Sequence, residues 1–373
     1  MIARFLEHQI KEKLFQKKAI VLTGPRQVGK TTLIRSIISE MDKVVFYDGD
    51  DPAVQRLFDR PNTVQLKALI GDNLVVFIDE CQRINEIGIT SKIIIDQLQP
   101  VQLIISGSSS VDIMQHTGEP LTGRKWTFSL LPVTWQEWQD YSGYLKAEQG
   151  LENRLVYGFY PEILTNPGKE DVLLRELADS YLYKDVLMYS SIKKPDAIQK
   201  LVQALAWQVG NEVIYNELAE VCGLDMKTIS SYIDILEKAY VLFRLPSFNR
   251  NLRNEIKKGR KVYFWDNGIR NAAIGQFQPL PLRMDTGALW ENFLVSERRK
   301  KLMYDHSNAF QYFWRTKQQQ EIDYVEENNG KISAYELKWN PRKSVKLPLT
   351  FTQEYQAEGE TITRKNFRDF FNA

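Results

Sequence analysis

Continuous runs of apolar residues mark three short strands in the first third of the chain. They are AIVLT (19–23), LVVFI (74–78) and QLIIS (102–106), and acidic, glycine or serine residues follow each of them. Unbroken apolar runs of this length are typical of strands that are buried on both faces. The first run leads through a glycine-rich stretch into a helical segment, so the pattern predicts an α/β fold.

Residues 133–195 show helical periodicity with frequent aromatic residues. Their longest amphipathic stretch, 170–189, is expected to be a helix with one apolar face. Pro195 stands early in the next helical run, where helix starts favour proline. The pattern predicts a helical lid or linker over 136–195.

The last third of the chain changes to the period of β-strands. A helix over 286–302 precedes FQYFWRT (310–316), in which aromatic residues alternate with polar ones. QEIDYVEE (320–327) and KISAYELKW (331–339) flank the turn NNG (328–330), and Asn-Gly is a strong hairpin signal. This region therefore predicts a small α/β domain built on a hairpin.

The glycine-rich stretch after the first strand has the sequence GPRQVGKT (24–31) and matches GxxxxGK[ST] at every fixed position. Backbone N–H groups of such a loop surround phosphates, and the helix that begins there adds the positive end of its dipole. Lys30 supplies charge to the terminal phosphates, and the Thr31 hydroxyl ligates Mg²⁺. We therefore expect ATP to bind through Gly24, Pro25, Arg26, Gln27, Val28, Gly29, Lys30, Thr31 and Thr32.

The polar ends of the following strands predict the rest of a hydrolytic site. Asp79 is expected to hold Mg²⁺ together with Thr31, and Glu80 to polarise the attacking water, which favours hydrolysis over binding alone. Ser108 or Ser109 either orients water near the γ-phosphate or belongs to a serine-rich turn. Arg124 is either a finger that neutralises γ-phosphate charge or a surface arginine.

Residues 213–248 have the rhythm of a helix-turn-helix with a wing. A short helix ends at Gly223, Asp225 caps a second helix from Met226 to about Lys238, and an extended piece follows. This resembles winged-helix DNA binders, in which the residues facing the groove would be Met226, Lys227, Thr228, Ser230 and Ser231.

Charge argues against independent DNA binding by this module. Residues 201–245 contain six acids and three bases, a balance of −3, whereas phosphate contacts dominate DNA affinity. The basic stretch NRNLRNEIKKGRK (249–261) carries a balance of +5. It either grips a phosphate backbone or forms a solvated hairpin.

The hairpin in the last third carries the charges of a candidate metal centre. Glu321 and Asp323 are expected on one face of the first strand, with Ile322 and Tyr324 on the other, and Glu336 and Lys338 share a face of the second. Asp323 with Glu336-x-Lys338 resembles the D…ExK pattern of restriction-endonuclease-like nucleases. Two carboxylates can bind Mg²⁺, and the lysine can position water or stabilise charge.

By the same resemblance, Glu291 matches a helix acid found in the Holliday-junction-resolvase-like part of that superfamily. A fold that only binds, and a plain charged surface, remain open as alternatives.

Composition limits the remaining choices. The chain has 373 residues, 43% apolar and 12% aromatic, with a net charge of +2, so it supports two or three domains and needs local patches for nucleic-acid binding. Two cysteines and three histidines exclude a zinc ribbon or a disulfide framework. No apolar run reaches signal-peptide or membrane-spanning length, so we expect no membrane and a reducing cytoplasm.

The order of motifs resembles a branch of the AAA+ ATPases, predicted prokaryotic ATPases joined to a C-terminal domain of poorly known function. The resemblance rests on GPRQVGKTT, LVVFIDECQRI, LIISGSSS, LTGR and LLPVTWQEW, and continues through YGFYPEIL, YLYKDVL and VYFWDNGIRNA. It implies a parallel P-loop sheet with helices on both faces, a nuclease-like C-terminal fold, and an arginine finger at Arg124 acting in cis or in trans.

Pattern and resemblance together predict four segments. They are an AAA+ ATPase core (1–135), a helical lid (136–195), a winged-helix-like segment (196–260) and a restriction-endonuclease-like domain (261–373). Three outputs compete: an ATP-gated nuclease acting on DNA, an ATP-dependent regulatory or defence-type switch that binds a protein partner without cutting, and a nucleotide-binding scaffold without turnover. A homo-oligomer is compatible with each.

Overall fold

The computed structural model describes residues 1–108, 120–180, 194–249 and 259–372. These residues form two compact units. The first comprises Met1–Val133 together with Lys238–Tyr240, and the second comprises Thr134–Glu237 and Val241–Ala373.

The first unit is an α/β structure around a five-stranded parallel sheet with the strand order β2-β3-β4-β1-β5. Every residue of β1, β3 and β4 is buried, as the unbroken apolar runs predict, whereas β2 and β5 at the edges are only partly buried. The strands are β1 (Ala19–Thr23), β2 (Val44–Asp48), β3 (Val75–Asp79), β4 (Gln102–Gly107) and β5 (Lys125–Ser129).

Five helices accompany the sheet in the described part of the first unit. Asp51 and Asn62 cap the third and fourth of them with side-chain oxygens, which satisfies backbone N–H groups that have no partner inside a helix. Isoleucine, leucine and valine from the strands and helices form its core. The helices are α1 (Leu6–Lys13), α2 (Lys30–Ile38), α3 (Pro52–Phe58), α4 (Thr63–Ile70) and α5 (Ile87–Gln97).

The second unit combines a helical part with two small sheets. Its helices are α6 (Trp135–Ser142), α7 (Tyr144–Tyr157), α8 (Pro161–Thr165), α9 (Glu170–Ala178), α10 (Pro195–Trp207), α11 (Tyr215–Cys222), α12 (Met226–Lys238), α13 (Asn267–Ala273), α14 (Thr286–Tyr304), α15 (Leu349–Tyr355) and α16 (Phe367–Asn372). Its strands are β6 (Glu212–Val213), β7 (Leu242–Pro246), β8 (Arg260–Phe264), β9 (Phe310–Arg315), β10 (Glu321–Asn328), β11 (Lys331–Leu337) and β12 (Glu358–Ile362).

The two sheets of this unit have the orders β6-β8-β7 and β12-β11-β10-β9. Helix α14 follows the first sheet in sequence and carries Trp290 and Phe293, which pack against Phe367 of α16. A second apolar cluster contains Trp314 of β9, which packs against Phe351 of α15. One cluster therefore joins α14 to α16, and the other covers one face of the β12-β11-β10-β9 sheet.

A register shift in β10 corrects one detail of the expected alternation. Ile322 pairs with Trp314 and Val325 pairs with Tyr312, so two residues of β10 lie opposite Phe313. As a result Tyr324 does not share the face of Ile322, because β-bulges insert one residue and reverse the alternation. Tyr324 packs instead against Tyr335 and Phe370.

The helix-turn-helix pattern appears with the expected element bounds. Gly223 ends α11 with φ of 62°, and Asp225 accepts a hydrogen bond of 3.0 Å from the Thr228 N–H at the start of α12. The likeness to winged-helix proteins, and the division of the second unit into lid, winged-helix-like and nuclease-like segments, stay predictions.

One of the stretches that carry the family resemblance, YLYKDVL (181–187), lies outside the described residues.

Candidate nucleotide site and acid–lysine cluster

The glycine-rich loop joins β1 to α2 at the carboxyl end of the parallel sheet. Gly24 has φ of +148°, and a Cβ added there would lie 2.1 Å from the Leu130 carbonyl oxygen, so only glycine fits. Gly29 precedes α2 with φ of +95°. Between them lie Pro25, Arg26, Gln27 and Val28, and Thr32 is exposed on the first turn of α2.

Lys30 is folded onto this loop. Its Nζ donates hydrogen bonds to the carbonyl oxygens of Gly24, at 2.9 Å, and Pro25, at 2.8 Å, and the residue is only 5% exposed. The ammonium group therefore lies inside the loop that the motif assigns to phosphates. Arg4 contacts the same loop, because its guanidinium donates to the Val28 carbonyl at 3.0 Å and to the Leu131 carbonyl at 2.5 Å.

Thr31 and Asp79 meet at the carboxyl ends of β1 and β3. The Thr31 hydroxyl donates to Asp79 Oδ2 at 2.5 Å, and the Glu80 N–H donates to Asp79 Oδ1 at 3.1 Å. The buried Ser106 hydroxyl at the end of β4 also donates to Asp79 Oδ1. Sequence reasoning assigned no role to Ser106, although its position at the end of an apolar strand next to β3 is the signal that identifies it.

Glu80 has a left-handed backbone, with φ of 45°, directly after β3. The Gln82 amide donates to Glu80 Oε2 at 2.5 Å and to the Ser108 hydroxyl at 3.3 Å. Gln82 thus joins two of the predicted site residues, a link that sequence reasoning did not find. Ser109, the alternative to Ser108, lies outside the described residues.

Arg124 does not lie near the phosphate loop and the Thr31–Asp79 pair of its own chain. Its backbone carbonyl accepts from the Ala19 N–H at the beginning of β1, whereas the phosphate loop begins at the far end of that strand. A five-residue strand separates the two ends by roughly 16 Å. The Arg124 side chain instead pairs with Asp96 at 2.8 Å, so a role in trans stays a prediction.

The second unit brings the predicted acids and lysine of the hairpin together. Lys338 Nζ lies 2.9 Å from Asp323 Oδ2 and 2.8 Å from Glu336 Oε2. The Leu337 N–H also donates to Asp323 Oδ2 at 2.8 Å. Asp323 and Glu336 are 8% and 6% exposed, so the ammonium lies between two nearly buried carboxylates.

Glu291 of α14 belongs to an adjoining network. Its Oε1 accepts from the Tyr263 hydroxyl at 2.7 Å and lies 3.1 Å from Lys261 Nζ. Lys261 Nζ also lies 2.6 Å from Glu321 Oε1, and the lysine is 1% exposed. Lys261 ends the stretch 249–261, for which the sequence left open a phosphate-gripping segment or a solvated hairpin, and it fits neither alternative, because its charge is buried against two carboxylates.

Burial and charge shift the protonation of these acids. Burial raises the pKa of Glu291 to about 7, although the Lys261 ammonium opposes the shift. Burial and the Asp323 carboxylate raise the pKa of Glu336 to about 7, against the effect of Lys338. Burial alone would lower the pKa of Lys338, but the carboxylates of Asp323 and Glu336 raise it above its usual range.

The two sites differ in their fit to a divalent cation. At the first, a hydroxyl and a carboxylate in contact match the oxygen ligands that Mg²⁺ takes beside a nucleotide. At the second, Lys338 lies between the two carboxylates that a cation would use. Across the described ranges no group of three or more His, Cys, Asp or Glu residues could hold a metal.

Other predicted contact residues are only partly described. On α12, Met226, Lys227 and Ser231 are exposed, whereas Thr228 is held by Asp225. The basic residues at 250–258 lie outside the described residues. No described helix is long and apolar enough to cross a membrane.

Comparison with known families agrees with the division into units. Residues 16–139 match the family described as an AAA domain, and this range contains all five strands of the parallel sheet. Residues 148–280 and 286–369 match two families described as domains of unknown function, DUF8612 and DUF4143. With the loop geometry, the AAA match supports a P-loop ATPase and ATP binding by the first unit.

Relatives and solved structures extend this similarity along the chain. An uncharacterized protein of Mycobacterium tuberculosis is 27% identical over 344 residues, 90% of this chain and 74% of its own length. One of Methanocaldococcus jannaschii is 24% identical over 330 residues, 83% and 72% of the two chains. The Walker-type ATPase of Pyrococcus abyssi aligns over 74% of this chain and 96% of its own, with 15% identity and a TM-score of 0.52, a likeness of fold.

Proposed function

We propose that the first unit binds ATP with Mg²⁺ and hydrolyses it. The observation that carries the proposal is the contact between the Thr31 hydroxyl and Asp79, at 2.5 Å, directly beside Glu80 and the phosphate loop. Thr31 follows β1 and Asp79 ends β3, on either side of β4 in the sheet, and open α/β structures bind ligands at this carboxyl edge. The match of residues 16–139 to an AAA domain supports the proposal.

Each residue has a distinct task in this proposal. Lys30 exchanges its bonds to the loop carbonyls for the terminal phosphates, and the loop N–H groups orient them. Glu80 accepts a hydrogen bond from the attacking water, while Gln82 orients the carboxylate. Mg²⁺, held by Thr31 and Asp79, would supply charge neutralisation on the phosphates.

A phosphate-release assay tests this function. Glu80→Gln should retain binding of the Mg²⁺ complex of ATP but lose roughly 10²–10⁴-fold in hydrolysis, because it removes the group that polarises water. Lys30→Ala should lose both binding and turnover. Glu40→Gln, an exposed acid-to-amide change in the same unit, is the matched control. Unchanged turnover in Glu80→Gln would remove Glu80 from the mechanism.

A second candidate function concerns the second unit. We propose that the unit recognises or acts on nucleic acid at the cluster of Asp323, Glu336 and Lys338. The observation that favours it is that Lys338 Nζ lies within 2.9 Å of a carboxylate oxygen of both Asp323 and Glu336. ATP turnover in the first unit would then control access to DNA.

Cleavage and binding assays separate this candidate from a switch without nuclease activity. Branched and linear DNA are incubated with Mg²⁺ or Mn²⁺ with and without ATP, for the wild type and Glu336→Ala. Loss of cleavage in Glu336→Ala supports a nuclease. Nucleotide-dependent association with DNA or a protein, without product under either metal, supports the regulatory switch.

A further inference from the structure

Tyr240 has a backbone conformation that its residue type does not favour. It follows the end of α12 and has φ of 59°, in the left-handed region. Glycine adopts this region without steric cost, whereas a bulky residue persists there only where its surroundings require it. The tyrosine side chain is therefore expected to make a contact that glycine could not provide.

That contact is a closed set of three hydroxyl groups. The Tyr240 hydroxyl lies 2.7 Å from Thr23 Oγ1 and 3.0 Å from Ser129 Oγ, and the latter two atoms are 3.1 Å apart. The Thr23 hydroxyl also donates to the Phe128 carbonyl at 3.2 Å, so it can accept from both Tyr240 and Ser129, because a hydroxyl donates once and accepts twice. Hydrogen bonds in such a network polarise one another and favour a single geometry.

This group of three hydroxyls lies at the start of the phosphate loop. Thr23 is the last residue of β1 and directly precedes Gly24, and its carbonyl accepts from the Leu130 N–H at 2.8 Å. The Leu130 carbonyl leaves no room beside Gly24 for a Cβ. The backbone at the start of the loop is therefore confined on one side by Leu130, directly after β5, and the Thr23 side chain is held by Phe128, Ser129 and Tyr240.

We propose that Tyr240 is a positioning residue for nucleotide binding, which holds the start of the phosphate loop through Thr23. The inference rests on the proposed function of that loop. Lys30 must release the carbonyls of Gly24 and Pro25 to reach a phosphate, and Gly24 is bonded to Thr23. Nucleotide occupancy and the Tyr240 hydrogen bonds are thus coupled, and the coupling acts equally in both directions.

Tyr240→Phe is the direct test, because it removes the Tyr240 hydroxyl and keeps the aromatic side chain. Binding of the Mg²⁺ complex of AMP-PNP is measured by calorimetry, and turnover by phosphate release. We expect Kd and KM to rise about three- to tenfold, the equivalent of one hydrogen bond, with kcat within about twofold of the wild type. Tyr141→Phe, an exposed tyrosine on α6, is the matched control.

A double-mutant cycle separates positioning from general loss of stability. Thr23→Val removes the hydroxyl that Tyr240 contacts, and Ser129→Ala removes the third member from another strand. If Tyr240 acts through Thr23, the losses of affinity in Tyr240→Phe and Thr23→Val are not additive in the double variant. Additive losses, or a wild-type Kd in Tyr240→Phe, would overturn the proposal.

The outcome also distinguishes this inference from the proposed function. If the wild type fails to bind AMP-PNP, the proposed function fails and the role of Tyr240 fails with it. If the wild type binds, Lys30→Ala does not, and Tyr240→Phe is unchanged, only the role of Tyr240 is refuted. A kcat loss in Tyr240→Phe without a change in Kd would also refute positioning of the loop.

Discussion

The Glu291 carboxylate should make the second unit less stable as pH rises through neutrality. Its pKa is raised from 4.5 to about 7 by burial. Between these values the folded state binds more protons than the unfolded state, so the free energy of unfolding falls with increasing pH. The full effect corresponds to about 3 kcal/mol, at about 1.4 kcal/mol per pH unit.

Glu291→Gln removes this dependence, because the amide resembles the protonated acid at every pH. At pH 5 the variant and the wild type should have similar stability. At pH 8 the variant should be more stable by about 2–3 kcal/mol, since most of the ionisation cost falls in this interval. Lys261 also contacts Glu321 at 2.6 Å, and the variant is expected to keep this contact.

Urea unfolding followed by tryptophan fluorescence measures this unit selectively. Of the eight tryptophans only Trp126 belongs to the first unit, so the other seven report on the second. Glu354→Gln, an exposed acid, controls for the loss of one negative charge. Parallel pH profiles for the wild type and Glu291→Gln, or a variant that is less stable at pH 8, would contradict the reasoning.

Three further predictions concern the first unit. Arg4→Ala should weaken binding of Mg²⁺-AMP-PNP about three- to tenfold with partial recovery in Arg4→Lys, measured by calorimetry, because a bond to a loop carbonyl is lost. Ser106→Ala should lower the affinity for Mg²⁺ in the presence of nucleotide several-fold, because Asp79 loses a partner that orients it, and equal Mg²⁺ titrations would contradict this. Gly24→Ala should cost about 2–6 kcal/mol in calorimetric unfolding, through steric conflict and strain, whereas Gly71→Ala, also at positive φ but in open space, should cost less.

Local sequence determined much of the first unit. The three apolar runs form the fully buried strands β1, β3 and β4, because a parallel sheet covered on both faces needs no alternation. The spacing of the glycine-rich motif locates the loop and the start of α2, since a positive φ next to a helix start favours glycine. Thr31 and Asp79 could be paired from the rule that parallel strands end at one edge.

Contacts between residues far apart in the chain could not be predicted from the local sequence pattern. Arg124 precedes a strand, but only strand order and direction show that it lies at the opposite end of β1 from the loop. The bulge that turns Tyr324 away from Ile322 depends on register with β9, which the sequence of β10 alone does not contain. Lys261 looked like part of a basic surface, yet the fold buries it against Glu291 and Glu321.

Sequence by itself therefore determined part of the elements, among them the three central strands, the loop-to-helix junction and the hairpin, and which residue types could carry chemistry. Those properties depend on neighbours a few positions apart, through periodicity, glycine conformation and capping. Tertiary structure decided which of those residues meet, how their charges are paired and which carboxyls titrate near pH 7, as Glu291 does. Burial and partners set these properties, and both arise from residues far apart in the chain, as Tyr240 and Thr23 illustrate.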